Sequence, residues 1–240
     1  MIEWLIALVI GIVISMVIYA ASFAVMVAVV KNRKSQANIT LTNPWMTSAI
    51  VSPIVLCLSL LAIFLLSMGM LPLWGFQLPT IEVLVLLSTI GIIVAVVVVL
   101  VSEHISPTPE KMNPPSDRRG RIIFFIVIVL LASIAEEVLF RGFLQNILDN
   151  ALLLAIDLGW FSITGGAIIS AIVFGLIHVA PAKQMGSSVP GLVISAAILG
   201  LIAGIFLTYS GSIILPIIVH IEFNLVGFLI GTRNILLTRT

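Results

Sequence analysis

The sequence predicts an all-α protein, a polytopic bundle of about seven or eight membrane-spanning helices. Three observations carry that prediction. Of 240 residues, 61% are apolar and only 9% are charged, against about 45–50% and about 25% in soluble domains. The charges are also segregated: none occurs in 5–30, 35–81, 83–102, 158–182 or 184–221. Each of those stretches holds at least one segment near the 20 apolar residues, roughly, that a helix needs to cross a bilayer core.

Spans are expected near 4–30, 47–71, 82–101, 122–147, 163–181, 190–209 and 212–231. Backbone in lipid must satisfy its own hydrogen bonds, which leaves helices or a closed barrel. A barrel strand would alternate apolar and polar residues. The run Ile93-Val94-Ala95-Val96-Val97-Val98-Val99-Leu100 does not alternate, so the spans read as helices. Residues 148–162 fit neither pattern, and the expectation there is a short half-helix, a re-entrant piece or part of an eighth span. The stretch 102–121 reads as one long polar loop, because Pro107, Pro109, Pro114 and Pro115 oppose helix.

Seven spans alternate sides, and the basic residues test that register. Lys31, Arg33 and Lys34, then Lys111, Arg118, Arg119 and Arg121, then Lys183, then Arg233 and Arg239 all fall on one side. The positive-inside rule makes that side cytoplasmic and the N-terminus external. Glu3, Asp149 and Asp157 then lie outside. The first span reads as an uncleaved anchor, since no basic residue precedes it. The organisation expected is 1–119 as N-terminal helices and a Pro-rich cytoplasmic loop, 120–231 as a second membrane core, and 232–240 as a cytoplasmic tail. A prokaryotic cell membrane suits so compact a chain. Net charge is +1, which argues against a nucleic-acid partner. A single cysteine, Cys57, excludes an intrachain disulfide.

The functional clue is charge where a bilayer penalises it, at about 2.5–3.5 kcal/mol per group on insertion scales. The fourth span carries Glu136, Glu137 and Arg141. The fifth carries His178, and the seventh carries His220, Glu222 and Asn224. Glu137 and Arg141 are four apart with the acid first, the favourable order for a helical ion pair. Glu136 lies about 100° around the helix and is the freer carboxylate, suited to act as a general base or acid. A buried structural ion network would explain the same three residues. His220 and Asn224 share a face, where they could donate to a developing oxyanion or join two helices. Phe174 and His178 share a face one turn apart. His104, in the Pro-rich loop, reads as solvated. Glu222 points to another face and has no assigned role.

Three patterns occur in order: E-E-x-x-x-R at Glu136–Arg141, F-x-x-x-H at Phe174–His178, and H-x-x-x-N at His220–Asn224. Together they resemble the CAAX prenyl endopeptidase type II family, also called the CPBP or abortive-infection family of intramembrane proteases, over roughly 120–230. The resemblance implies a hydrolase acting near the C-terminus of prenylated or other membrane-associated peptides. It implies that Glu136 activates water with His178 sharing proton transfer. It further implies that His220 and Asn224 hold the scissile carbonyl and its oxyanion, and that Glu137, Arg141 and Phe174 support the site. The implied cavity opens to the cytosol.

Two chemistries remain open. In the first, Glu136 and His178 work directly, without a cofactor. In the second, Glu136, His178 and His220 hold a zinc ion with water in the fourth position. The direct route is preferred, and H-E-x-x-H and G-x-S-x-G motifs are both absent from the sequence. Outside the proteases, the same residues could serve as an ion or proton relay in a transporter, or as a remnant site in a non-catalytic, immunity-type scaffold. The confinement of the polar residues to one half of the chain weighs against a two-halved transporter.

Overall fold

The computed structural model describes residues 2–32, 44–105 and 114–237. Arg33, Lys34, Pro107, Pro109, Lys111 and Arg239 lie outside the described residues. Helix α1 runs Ile2–Asn32, α2 Pro44–Ser67 and α3 Ile81–Ile105. Helix α4 runs Arg118–Leu152, α5 Gly165–Ile177, α6 Val179–Met185, α7 Val189–Ser210 and α8 Ile214–Leu237. Seven helical segments among the described residues are long and apolar enough to cross a membrane, with α5 and α6 counted as one. The protein is an integral membrane protein.

Several helices run past the ends that the apolar runs alone suggest. Most of the expected loop at 102–121 is shorter than read, because α3 continues to Ile105 and α4 begins at Arg118. Asp117 starts α4 by accepting the Gly120 amide at 2.7 Å, a side-chain cap that outweighs the prolines just before it. The second span stops at Ser67 rather than 71. There Met68 and Gly69 adopt positive φ, of 49° and 83°, and turn the chain.

Residues 148–162 form neither a re-entrant helix nor an eighth span. Helix α4 carries through to Leu152, and Leu153 takes a left-handed conformation, φ 45°. A hairpin follows, with β1 Ala155–Asp157 antiparallel to β2 Ser162–Thr164. Its turn is closed by Leu158 and Phe161 (3.0 Å) and by Gly159 donating to Asp157 Oδ1 (2.9 Å). The alternation Ala-Ile-Asp and Ser-Ile-Thr around a Gly turn is a hairpin signal that overall apolarity hides.

Helix α4 is the axis of the fold. Wide i→i+5 turns at Phe125–Ala132 and Val138–Gln145 flank an ordinary α segment, Ser133–Glu137, that bears both glutamates. Such π segments concentrate at functional sites. Phe140, Phe143, Leu139 and Leu144 on this helix are fully buried, together with Phe174 and Ile63. Helices α5 and α7 meet through small residues: a Cβ on Gly175 would come within 2.9 Å of the Val193 carbonyl and 3.0 Å of Ala197 Cβ. Close backbone approach of this kind replaces the hydrophobic drive that lipid cannot supply. By contrast, α1 turns Val9, Val13 and Val17 outward, each more than half exposed, as expected of a lipid-facing surface.

A strap between α2 and α3 binds the two halves of the chain. Gly75 O accepts from Ile213 N (2.9 Å), Ser212 Oγ donates to Gln77 O (2.6 Å), and Asn146 Nδ2 donates to Trp74 O (3.2 Å). The strap therefore fixes the α7–α8 turn against α4.

Candidate active site

The α segment at Ser133–Glu137 points its two acids in different directions. Glu137 is fully buried. Its Oε1 accepts from Arg141 Nη1 at 3.0 Å and from His220 Nδ1 at 2.7 Å. The expected i,i+4 pair is present, and Glu137 additionally anchors His220, which sequence spacing does not reveal. Arg141 also lies over the Phe174 ring, 4.7 Å from its centroid.

Glu136 takes the other side of the helix and keeps about 20% of its side chain exposed. It lines a cavity of about 700 Å³ together with His178, His220 and Asn224. His220 Nε2 lies 4.0 Å from Glu136 Oε2. Tyr19 Oη, from α1, donates to Glu136 Oε1 at 3.4 Å.

The tautomers follow from the partners. His178 Nδ1 lies 2.7 Å from the Phe174 carbonyl, which can only accept, so Nδ1 carries hydrogen and Nε2 is the free nitrogen. His178 sits where α5 ends, and its own backbone carbonyl starts α6 by accepting from Ala182 N (2.9 Å). The Phe174 ring contacts both histidines edge-on, with centroids 4.8 Å from His178 and 5.7 Å from His220. Phe174 is thus a buried wedge that spaces the two imidazoles.

Asn224 shares the His220 face as expected, but its amide hydrogens are engaged with α4. Nδ2 donates to Ser133 Oγ (2.9 Å) and to the Ile128 carbonyl (3.3 Å). An oxyanion would have to displace one of these bonds. Ser133 in turn donates to Val129 O (2.8 Å).

Sequence reasoning missed Tyr19 and Ser133. Ser15, Tyr19 and Ser22 form a polar stripe at helical spacing on an otherwise apolar span, and that stripe is the signal for Tyr19. Ser133 precedes Glu137 by one turn and is recognisable only once Asn224 is seen beside it. Glu222 faces away from the cavity. Its carboxylate packs against Gly91 of α3, where a Cβ would overlap it, and its Oε2 is buried without a hydrogen-bond partner.

A zinc site would need Glu136, His178 and His220 gathered around one point. Among the described residues, no three His, Cys, Asp or Glu side chains form a group able to hold a metal ion.

Residues 118–226 match the family model described as Type II CAAX prenyl endopeptidase Rce1-like. No curated protein and no solved structure matches the chain. The match contains every motif residue of the cavity, and it excludes α1 to α3, of which α1 supplies Tyr19 and α1 and α2 supply part of the cavity wall.

Proposed function

From the match of residues 118–226 to the Rce1-like type II CAAX prenyl endopeptidase family model, we propose that this protein is an intramembrane endopeptidase in which Glu136 activates water. Its substrate is a prenylated CAAX-type peptide or another membrane-associated peptide, cut near its C-terminus. One observation carries the reading: Glu136 is the one carboxylate of the Glu136–Glu137 pair left facing a cavity, and both intramembrane histidines and Asn224 line that same cavity.

The chemistry follows from the hydrogen bonds. Glu137 and Arg141 balance each other, so Glu136 leaves one net negative charge beside His220. In this reading His220 acts as a donor through both ring nitrogens. Nδ1–H is held by Glu137, and Nε2–H then faces the cavity as a donor. Water bound near Glu136 gives its proton to the carboxylate as its oxygen attacks the scissile carbonyl carbon. The carbonyl oxygen becomes the oxyanion and accepts from His220 Nε2–H. Asn224 joins it on releasing Ser133, since catalytic bonds commonly tighten only with substrate bound. The C–N bond then breaks. The proton held by Glu136 passes to the leaving amine, with His178 Nε2 as the relay.

Met16, Phe23, Trp45 and Phe124 line the cavity and suit an apolar or lipidated substrate. Alternation of the spans puts Lys31, Arg118, Lys183 and Arg233 at the cavity end of the bundle. By the positive-inside rule this end, and the C-terminus, face the cytosol, in a prokaryotic cell membrane.

The test is cleavage of a farnesylated CAAX peptide by purified protein in nanodiscs, with and without a zinc chelator, beside Glu136→Gln. Cleavage that survives chelation and is abolished by Glu136→Gln is expected. Loss on chelation with recovery on adding zinc would move the mechanism to a metal. Full activity in Glu136→Gln would overturn the assignment of the base.

A further inference from the structure

Helix α4 carries more buried polarity than the proposed reaction uses. Glu137, Arg141, Gln145 and Asp149 recur every fourth residue and so form a column along one side of the helix. The first three are fully buried. At the far end, Asp149 Oδ1 accepts from Gly166 N (3.0 Å), and Gln145 Nε2 donates to Asp149 Oδ2 (3.2 Å). Gln145 Nε2 also faces Gly204 O (3.1 Å) and Thr208 Oγ1 (3.2 Å). At the near end, Arg141 binds Glu137, which binds His220.

The column breaks once, between Arg141 and Gln145. Arg141 Nη2 and Gln145 Oε1 are both buried without a hydrogen-bond partner. One can only donate and the other can only accept. Each sits against a glycine of α7. A Cβ on Gly200 would come within 2.8 Å of Arg141 Nη2, and one on Gly204 within 2.9 Å of Gln145 Oε1. Four residues of α-helix rise about 6 Å, so the two polar atoms face notches about that far apart. Two hydrogen bonds of about 2.9 Å each, meeting at the bent angle of one water molecule, join atoms about 4.5–5 Å apart, a separation that two atoms set against such notches can adopt. Buried unpartnered polar groups are the usual seats of internal water.

We propose that a water molecule is bound between Arg141 Nη2 and Gln145 Oε1, joining Asp149 to His220 through one continuous ladder. Gln145 is then a positioning residue: it holds Arg141, which holds Glu137, which orients His220. The second half of this proposal rests on the peptidase reading above, and the water itself does not.

The test uses the full chain in nanodiscs. A high-resolution structure should show density within about 3.2 Å of both Arg141 Nη2 and Gln145 Oε1. Gln145→Met, close in volume but without the amide's acceptor and donor, should shift the ¹⁵N resonances of His220. It should also lower kcat on a farnesylated CAAX peptide about tenfold, the rough worth of one hydrogen bond, with KM little changed. Thr208→Val removes one acceptor of the Gln145 amide with minimal change of shape, and should act in the same direction by about threefold. It keeps the test open if Gln145→Met does not fold. A direct bond between the two side chains in place of water would overturn the bound water. Unchanged His220 resonances and kcat in both variants would overturn the positioning role. If wild-type protein cleaves nothing, the peptidase reading falls, and density and resonances still decide the ladder.

Discussion

Replacing Arg141 by methionine removes one partner of an ion pair in which both side chains are wholly inaccessible and the contact is 3.0 Å. Methionine fills much of the volume, so the change is chiefly electrostatic. Glu137 would keep His220 at 2.7 Å but lose the guanidinium that balances it. Breaking a buried pair from one side costs about 3–5 kcal/mol. Loss of the cation from the face of Phe174, now 4.7 Å away, adds about 1–2 kcal/mol. The sum of roughly 4–7 kcal/mol is a large share of an ordinary domain's stability, about 5–15 kcal/mol. The assay is equilibrium unfolding in mixed micelles, read by tryptophan fluorescence. The double variant Glu137→Gln with Arg141→Met should be more stable than Arg141→Met alone, because it leaves no unpaired buried charge. A cost below about 1 kcal/mol for Arg141→Met, or strict additivity of the two changes, would refute the view that the pair is desolvated and coupled.

Tyr19→Phe deletes a long hydrogen bond to Glu136 (3.4 Å) and should lower kcat/KM about threefold without moving the unfolding midpoint. An unchanged kcat/KM would remove Tyr19 from the site. Gly175→Ala places a methyl 2.9 Å from the Val193 carbonyl and should destabilise by about 1–3 kcal/mol. Gly227→Ala, where nothing lies within 4 Å, should be neutral or stabilise by up to about 1 kcal/mol; equal effects at both positions would contradict the close α5–α7 contact. Ser133→Ala frees the Asn224 amide from its 2.9 Å bond and should change KM and kcat unequally, measured on the same peptide. A proportional loss in both would mark Ser133 as merely structural.

The spans were legible because membrane insertion is decided by local composition, and each span states its own apolarity. Their ends were less legible. The start of α4 depended on a single capping aspartate against a run of prolines, and the hairpin after Leu152 depended on strand alternation inside an apolar dozen. At the site, the different settings of Glu137, paired with Arg141, and Glu136, facing the cavity, followed from helical geometry, because both belong to one helix. What spacing within a helix cannot encode is contact between helices. The bond from Glu137 to His220 joins residues 83 apart, and Tyr19 lies 117 residues from Glu136. Asn224 was matched to an oxyanion from its motif, and only its neighbour Ser133 reveals where its hydrogens rest. Glu222 was unreadable from its own helix because what it meets, Gly91, belongs to α3.

Part of the cavity wall comes from α1 and α2, whereas the motif acids, histidines and asparagine come from α4, α5 and α8. The family match begins only at residue 118, after the α1 and α2 part of that wall. The wall is therefore shared between a stretch outside the family match and the matched stretch itself, which adds Phe124, Leu176 and Met185. Under the proposed function, a library confined to Met16, Phe23 and Trp45 should alter selectivity while Glu136, His178, His220 and Asn224 stay untouched. Conversely, residues 118–226 on their own would present those groups to lipid through an open flank.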